Sequence, residues 1–359
     1  MIAEGATKGV GPAGDNRRRP LRRRIRGWLV GLFFVALWVW FTNGRVNYVA
    51  ISPGPTASVG ERIAVSGTRQ FATTGKVLWA TVNLLDRPSP LEAIYGWLKG
   101  DVDVFRRKEI LGDATPQQSA EESRADMDDA KLVAQIVAAR KLGIATEGGG
   151  AEIAEITKTA PSAKLLKVGD VITAIEGKSV CLQGDVRPGM TGKKPGDSVL
   201  LTIRSGAAKP RELRVQTITG NGVHRALIGV ILAPDPKSPC RLPFKVSVDT
   251  SRVGGPSAGL AMTLAIIDRL SPGDLTGGDT VAVTGAINAD GSVGEVGGVK
   301  QKTVAVWAAG AKLFIVPTGE LSIAKAHAHG MRVVGVDTLD QALAALRTVG
   351  GAPLPSSSR

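Results

Sequence analysis

The sequence predicts an α+β fold with an N-terminal transmembrane helix, a β-rich domain with helices, and a C-terminal domain that carries the chemistry. Three observations lead to this prediction. An uncharged apolar run follows a cluster of arginines near the N-terminus. Apolar and polar residues alternate from Ala151 onward, which is typical of strands with one buried face. A glycine-rich segment around Ser257 leads into an apolar helix.

Composition limits the classes of protein that the chain can be. Its 359 residues are 43% hydrophobic and 21% charged, which is globular composition. Aromatic residues make up only 4%, and nearly half of the net charge of +13 lies in residues 1–26. We therefore expect no nucleic-acid partner. The chain has only three histidines, so we expect no metal site and no cofactor.

Residues 1–26 are predicted to be a basic cytoplasmic tail, and residues 27–43 a transmembrane anchor. The run GWLVGLFFVALWVWF covers about 22 Å of a hydrocarbon core of about 30 Å, so it spans the core only if its neighbours Ile25 and Thr42 join it. A cleavable signal peptide is the alternative, although no A-x-A site follows. Either one gives the same orientation, because the positive-inside rule places residues 1–26 in the cytoplasm and everything after residue 44, including the C-terminal domain, outside it. The uncleaved anchor predicts a single-pass membrane protein.

Export affects how the two cysteines are interpreted. Cys181 and Cys240 would meet an oxidising environment, where two thiols can form a disulfide. The alternative is that Cys181 is a small buried residue with a free thiol.

Residues 44–139 are predicted to be β-rich first and helical later. The part from Tyr48 to Val82 is rich in Val, Ile, Thr and Gly and has a Pro-Gly-Pro turn signal. Residues 89–143 then show a helical pattern with a capping box at Ser119.

The next segment, residues 140–218, contains the alternating strand AEIAEI, the element Lys-Val-Gly-Asp-Val-Ile at 167–172, and a Glu-Gly that follows at 176–177. Together these elements give the segment a resemblance to a PDZ domain. The resemblance implies that peptide C-terminal carboxylates bind as an added strand beside a loop of backbone N–H groups. Leu142, Gly143 and Ile144 are similar to that loop. The alternative is that the module only packs against its neighbour.

Ser257 is the candidate nucleophile, in the sequence Gly-Gly-Pro-Ser-Ala-Gly before an apolar helix. Pro256 suits a first helical turn, and unpaired amides at that end could stabilise an oxyanion. The alternative is that Ser257 only caps the helix. Gly255-x-Ser257-x-Gly259 also fits the nucleophile elbow of a Ser-His hydrolase of small esters, for which His327 or His329 would be the base.

From about residue 240 the chain carries three motifs in order: Gly-Pro-Ser-Ala-Gly, then Thr-Gly-x-Ile, then Gly-x-Val-x-x-Val-Gly-Gly-x-Lys-x-Lys. This order resembles the proteolytic domain of the Lon family, and residues 219–348 are therefore predicted to be the protease domain. With the anchor and the PDZ module, the chain looks like the membrane-anchored, PDZ-containing Lon-like proteases of bacteria. The resemblance implies a dyad of Ser257 and Lys300, with Thr284 orienting the lysine. The residues expected to support the serine are Gly255, Pro256, Ala258 and Asp249.

A lysine can act as a base only when it is neutral, so Lys300 would have to be buried or lie at a helix start to lower its pKa. The alternative for Lys300 is a solvated surface side chain. Lys302 is the nearest rival, and we expect it to be exposed because it is offset from the motif position.

No G-x-x-x-x-G-K-[ST] phosphate loop occurs in the chain, so the sequence predicts proteolysis without ATP. The predicted function is therefore an ATP-independent serine endopeptidase, tethered to the membrane, that acts on protein or peptide substrates. A non-catalytic membrane scaffold that binds C-terminal peptides is the alternative. Residues 45–90 could complete the protease sheet, and residues 349–359 are predicted to be a disordered tail.

Overall fold

The computed structural model describes residues 19–220, 223–250 and 253–355. Most of the predicted basic tail, residues 1–18, and the last part of the predicted C-terminal tail, residues 356–359, lie outside this range. The chain forms two compact units. The first holds the described residues up to Ala50 together with residues 85–110, and the second holds residues 51–84 and the described chain from Leu111 onward.

Helices and strands are interspersed along the whole described chain. The first half contains α1 (Arg19–Asn43), β1 (Tyr48–Ser58), β2 (Ile63–Ser66), β3 (Lys76–Asp86), α2 (Pro90–Lys99), β4 (Asp103–Arg106), α3 (Arg107–Leu111), α4 (Pro116–Lys141), β5 (Ala151–Ile156), β6 (Asp170–Ile175) and β7 (Lys178–Ser179). The second half contains α5 (Val186–Gly189), β8 (Ser198–Ser205), β9 (Arg211–Gln216), β10 (Ile218–Gly220), β11 (Val223–Leu227), β12 (Val230–Pro234), β13 (Lys245–Val248), α6 (Gly259–Leu270), β14 (Thr280–Val283), β15 (Ala286–Ile287), β16 (Val293–Gly294), α7 (Val299–Ala308), β17 (Leu313–Pro317), α8 (Leu321–Ala326), β18 (Arg332–Val336) and α9 (Leu339–Arg347).

The first unit contains the N-terminal helix. Residues Ile25–Asn43 of α1 form a helix that is long and apolar enough to cross a membrane. Tryptophans near its end, such as Trp38 and Trp40, are of the kind that lies at membrane interfaces. The short helix α2 follows in the same unit and begins with a capping box at Ser89.

One sheet of the second unit has the strand order β18-β17-β14-β3-β1. Strand β14 pairs in parallel with β17 on one side and with β3 on the other. Residues 76–86 therefore lie in the same sheet as the strands of the C-terminal segment. Such central parallel strands are buried on both faces, and their residues alternate between two cores. Trp79 and Val283 face the core that contains α6, whereas Leu78 and Phe314 face the core that contains α7.

The PDZ-like region forms a second sheet with the order β12-β5-β6-β8-β9. Its core is built of alternate strand residues, among them Ile153, Ile172 and Leu201. Strand β12 pairs antiparallel with β5, although it lies beyond residue 218, where the sequence predicted this domain to end. The chain thus returns to the sheet before it continues into the protease region.

The predicted C-terminal tail begins at residue 349, and its described part contacts the second unit. The amide of Ala352 donates to the carbonyl of Asp274 at 2.8 Å, and the amide of Gly351 donates to the carbonyl of Leu346 at 3.1 Å. Leu354 packs against the core that contains α6. In residues 349–354 the chain therefore follows the surface of the fold.

Candidate active site

Ser257 lies in a single 3-10 turn, Pro256–Ala258, that leads directly into α6. Gly255, just before the turn, has φ of 79°, a conformation that glycine adopts at little cost. Helix α6 is buried from its first residue to Asp268. The serine is therefore half-buried at the start of a helix whose position the core determines.

The residues that follow β14 hold the Ser257 turn in place. The amide of Gly285 donates to the carbonyl of Ser257 at 3.0 Å, and the amide of Leu260 donates to the carbonyl of Gly285 at 3.0 Å. The hydroxyl of Thr284, which is fully buried, donates to the same carbonyl of Ser257 at 3.3 Å. The end of a central strand therefore fixes the serine turn.

Lys302 reaches Thr284 from α7. Its Nζ donates to Thr284 Oγ1 at 3.2 Å, and the residue is only 2% exposed. The threonine hydroxyl accepts from the lysine and donates to Ser257, in keeping with its one proton and two lone pairs. Lys302 is thus joined to the backbone of Ser257 by two consecutive hydrogen bonds.

Burial favours the neutral form of Lys302. Loss of solvation disfavours the ammonium form and lowers the pKa of Lys302 to about 8, although the negative charge of Glu320 opposes this effect. Glu320 accepts a hydrogen bond from the amide of Val296 at 2.7 Å through Oε1. A substantial fraction of Lys302 is therefore neutral near pH 8.

The structure places the two candidate lysines differently from the sequence prediction. The expectation that Lys302 is exposed is wrong, and Lys302 makes the contact with Thr284 that was predicted for Lys300. Lys300 lies on the second residue of α7 and is half-buried. Two residues on a helix differ by about 200° in direction, so both lysines cannot point to the same site.

Helical periodicity could have identified Lys302. Val299 and Val306 are seven residues apart in α7 and both are buried. An apolar stripe with the i, i+3, i+4, i+7 pattern that starts at Val299 includes Lys302 and Thr303. Lys300 is not in this stripe.

The predicted supporting acid, Asp249, lies away from the lysine. It is exposed, its carboxylate is 3.5 Å from Arg62 Nη1, and its amide donates to the Arg62 carbonyl. It therefore links the segment before the serine loop to the turn that precedes β2. Asp290, in contrast, accepts hydrogen bonds from the amide and hydroxyl of Ser292 and stabilises a turn.

The structure gives the two candidate histidines other contacts. Nδ1 of His327 lies 3.0 Å from the carbonyl of Ile323 in its own helix. The ring of His329 lies 4.4 Å from that of Trp307. Strand β13 ends at Val248, well before Ser257, so the strand does not meet the nucleophile as in an elbow.

The loop predicted to hold a carboxylate is instead the C-terminal cap of α4. The amide of Leu142 donates to carbonyls of Ala138 and Ala139, that of Gly143 to Arg140, and that of Ile144 to Ala139. These amides satisfy the last turn of the helix and are not available to a ligand. The prediction for Leu142, Gly143 and Ile144 is therefore wrong.

A cavity of about 710 Å³ lies elsewhere in the PDZ-like region, beside α5 and β12. Val186, Met190 and Ile228 contribute apolar surface to it, and Arg187 and Arg225 contribute basic groups. Strand β12 is the last strand of its sheet within the described chain. The cavity thus lies along a sheet edge.

Cys181 and Cys240 form a disulfide. Both pack with Ile136 and Ala139 of α4. The bond ties the segment after β7 in the PDZ-like region to the segment that leads into β13. Among the described residues, no group of three or more His, Cys, Asp or Glu side chains is placed to hold a metal ion.

Comparison with known proteins identifies both regions. Residues 249–348 match the Lon protease (S16) C-terminal proteolytic domain, and residues 129–217 match a PDZ domain. The Lon protease of Ureaplasma parvum serovar 3 is 44% identical over 63 residues, which are 18% of this chain and 8% of that protein. Lon protease 1 of Herpetosiphon aurantiacus is 34% identical over 113 residues, which are 29% of this chain and 14% of that protein.

The chain thus spans only a small part of the length of these curated relatives. Among solved structures, the PDZ domain of the SdrC-like protein from Listeria monocytogenes has 23% identity and a TM-score of 0.22, and the match covers 23% of this chain and 87% of that chain. Taken together, the family matches show that this chain carries a Lon-type proteolytic domain next to a PDZ domain.

Proposed function

We propose that the chain is a serine endopeptidase in which Ser257 is the nucleophile and Lys302 is the general base. One observation carries the proposal: the buried amine of Lys302 is joined through the hydroxyl of Thr284 to the turn that bears Ser257. The match of residues 249–348 to the Lon proteolytic domain supports it. The base differs from the lysine that the sequence motif suggested.

In the first step Ser257 Oγ attacks the carbonyl carbon of the scissile peptide, and Lys302 takes the hydroxyl proton. Neutral Lys302 has two protons and one lone pair; one proton is donated to Thr284, so the lone pair can accept the proton of the serine. The carbonyl oxygen becomes an oxyanion. At a helix start the first amides have no partner within the helix, so those of Ser257 and Ala258 would stabilise that charge.

In the second step the tetrahedral intermediate breaks the C–N bond, and protonated Lys302 gives its proton to the leaving amine. Lys302 then takes a proton from a water molecule that attacks the acyl-enzyme ester. When this second intermediate collapses, the proton returns to Ser257 Oγ and the carboxyl product is released. Every proton is returned, and no further reactant besides water is consumed.

The test is cleavage of casein by the full chain in detergent without nucleotide. We expect Ser257→Ala and Lys302→Ala to lose at least about 10³-fold in kcat/KM, since each removes a participant in every step. Thr284→Val should lose about 10²-fold and Thr284→Ser much less, because serine keeps the hydroxyl. Lys300→Ala is the matched lysine control and should keep activity within about threefold. Activity that survives Lys302→Ala but not Lys300→Ala would contradict the assignment.

We further propose that the cavity beside β12 binds peptides as an added strand. The outer edge of a terminal strand offers backbone groups for pairing, and Met190 and Val186 offer apolar surface for a side chain. Arg187 and Arg225 supply positive charge that suits a carboxylate. The PDZ match supports peptide binding in general, and the cavity offers a position for it.

Peptide binding can be measured by fluorescence polarisation with peptides that end in a free carboxylate or an amide. We expect Met190→Glu to weaken binding at least about tenfold, because it puts a charge into an apolar pocket. Lys209→Glu, on an exposed loop between β8 and β9, is the control for a changed charge. Equal binding of the carboxylate and amide forms would show that the cavity does not recognise the terminal carboxylate.

We also propose that α1 anchors the chain in a membrane, with the N-terminal tail in the cytoplasm and both domains outside it. The length and apolarity of Ile25–Asn43 and the arginines before it support this orientation. We propose that cleavage in this location outside the cytoplasm proceeds without ATP. Resistance of the protein to carbonate extraction tests the anchoring. Protease digestion of intact cells or spheroplasts tests the orientation separately.

A further inference from the structure

Helix α2 presents its large apolar side chains to the outside. Leu91, Ile94, Tyr95, Trp97 and Leu98 are all exposed, with Trp97 at 74% and Leu98 at 70%. These five residues make up half of a ten-residue helix. Single exposed apolar residues are ordinary, but a contiguous group of this size marks an interaction site.

The other face of α2 explains why the helix is held in this orientation. Gly96 is buried, and a Cβ placed there would lie 2.8 Å from Val102 Cγ1. The fold therefore packs the small residue inward, against the chain that leads into β4. A surface helix of a soluble protein usually shows the reverse, with its apolar stripe toward the core.

The chain that leaves α1 contacts the beginning of α2. The amide of Val46 donates to the carbonyl of Pro88 at 3.0 Å, and Arg45 Nη1 lies 3.8 Å from Glu92 Oε2. Arg45 also donates to the carbonyl of Arg87 at 3.4 Å. The start of α2 thus contacts residues that lie two and three positions beyond the end of α1.

We propose that α2 lies in the headgroup layer of the bilayer that α1 crosses, with its apolar face toward the acyl chains. The inference rests on the membrane anchor of the proposed function. If α1 spans the bilayer and ends near Asn43, the start of α2 lies at the membrane surface. An exposed apolar face at that depth meets lipid.

The side chains of α2 match this environment in chemistry. Tyr95 and Trp97 combine an apolar ring with a polar group, and such residues favour the headgroup layer. Lys99, whose Nζ lies 5.4 Å from the Tyr95 ring, and Arg87, which is exposed, could pair with lipid phosphates. At about 1.5 Å per residue the helix is about 15 Å long, too short to span a bilayer but sufficient to lie on one.

The test uses the full chain in liposomes of phosphatidylcholine and phosphatidylglycerol, with single nitroxide labels on introduced cysteines. Cys181 and Cys240 are bonded to each other and are not labelled. Labels replace Leu98 on α2, Val35 in the middle of the span, and Lys209 on an exposed loop of the PDZ domain. Collision rates with oxygen, which concentrates in lipid, and with a nickel chelate, which stays in water, report the depth of each label.

We expect the oxygen-to-nickel ratio at Leu98→Cys to lie several-fold above that at Lys209→Cys and below that at Val35→Cys. A water-like ratio at Leu98→Cys with a lipid-like ratio at Val35→Cys would overturn the inference and leave the anchor intact. Low collision rates with both reagents at Leu98→Cys would mean that protein covers the face, from a second copy or a partner, and would also overturn it. A water-like ratio at Val35→Cys would remove the anchor and the inference together.

Discussion

At the scale of single residues, Glu320 is the charged group that acts on the pKa of Lys302, the proposed base. Its Oε1 accepts from Val296, whereas its Oε2 is buried and has no hydrogen-bond partner among the described residues. Desolvation raises the pKa of Glu320, and the positive charge of Lys302 acts in the opposite direction. The two groups thus stabilise each other's charged forms in a region with little solvent.

Replacing Glu320 by Gln should shift the acidic limb of the pH profile of kcat/KM to lower pH. In the wild type we expect activity to rise as Lys302 loses its proton, because burial lowers the pKa of Lys302 to about 8. The carboxylate raises that pKa, so its removal lets the lysine become neutral at lower pH, while the amide oxygen of Gln still accepts from Val296. The profile is measured from pH 6 to 10 with a peptide substrate.

Glu295→Gln is the matched control, because Glu295 is exposed and acts on the pKa of Glu320 rather than on that of Lys302. A profile of Glu320→Gln that coincides with the wild type would show that Glu320 does not set the charge of the base. A loss of activity at every pH, with no shift of the pH profile, would indicate that Glu320 has only a structural role.

Much of this site follows from the sequence, because Ser257 and Thr284 lie in short motifs whose local geometry is nearly self-contained. The sequence pointed to Lys300 because motif position was given more weight than helical direction, whereas in the structure Lys302 is the lysine that contacts Thr284. Glu320 carries no local signal, since it reaches Lys302 only through the packing of the β17–α8 connection against α7. Contacts of this kind depend on the tertiary fold, which a single sequence does not show.

At the scale of elements, α4 joins the two functional regions of the second unit. The carbonyl of Ser123, in its first third, accepts from the amide of Gly255 at 2.8 Å, two residues before Ser257. Arg140, near its end, binds both carboxylate oxygens of Asp185, at 2.6 and 2.7 Å, and the carbonyl of Ala289 at 3.1 Å. One helix therefore contacts the loop before Ser257, the 3-10 turn before α5 in the PDZ-like region, and the turn after β15.

Replacing Arg140 by Met should lower the free energy of unfolding by about 1–2 kcal/mol, because the partly exposed pair is bidentate but is also screened by solvent. For a unit of this size we expect Tm to fall by about 2–5 °C. Differential scanning calorimetry measures the change. Lys141→Met is the control, since Lys141 pairs with the largely exposed Asp340 and should shift Tm by less than about 1 °C.

The end of α4 also shows where local patterns mislead. Leu-Gly-Ile resembles a carboxylate-binding loop, but the same residues form a good helix C-cap, with Gly143 at φ of 71°. These amides bind the carbonyls of the last helical turn rather than a ligand, because they directly follow that turn in the sequence. The cavity beside β12 could not be found locally, because β12 lies about 75 residues beyond its partner strand β5.

At the scale of the whole molecule, the disulfide agrees with a location outside the cytoplasm. Cys181 and Cys240 are separated by 59 residues, and the bond restricts the unfolded chain over that length. In the chain-entropy model such a loop contributes about 4 kcal/mol to stability. The bond also ties the PDZ-like region, at the segment after β7, to the chain that enters β13, as α4 ties that region to the rest of the unit.

Reduction with dithiothreitol should therefore lower the Tm of the second unit, which contains the disulfide, by several degrees. Casein cleavage should fall in parallel. A variant with Cys181→Ser and Cys240→Ser should show the reduced Tm in both buffers. Calorimetry with and without the reductant checks the expectation. Equal Tm values of the oxidised wild type and the double variant would show that the bond adds no stability.

If the proposed peptide cavity and the proposed nucleophile act on one substrate, the length of α4 limits where that substrate can be cut. From Ser123 to Arg140 the helix extends about 26 Å, and an extended peptide covers about 3.3 Å per residue. Arg140 is bonded to Asp185, next to the residues that line the peptide cavity, whereas Ser123 is bonded beside Ser257. Because the helix acts as a fixed spacer, a substrate held by its end would need roughly eight residues to reach the nucleophile. The enzyme would then measure its cleavage point from the captured end and leave shorter tails uncut.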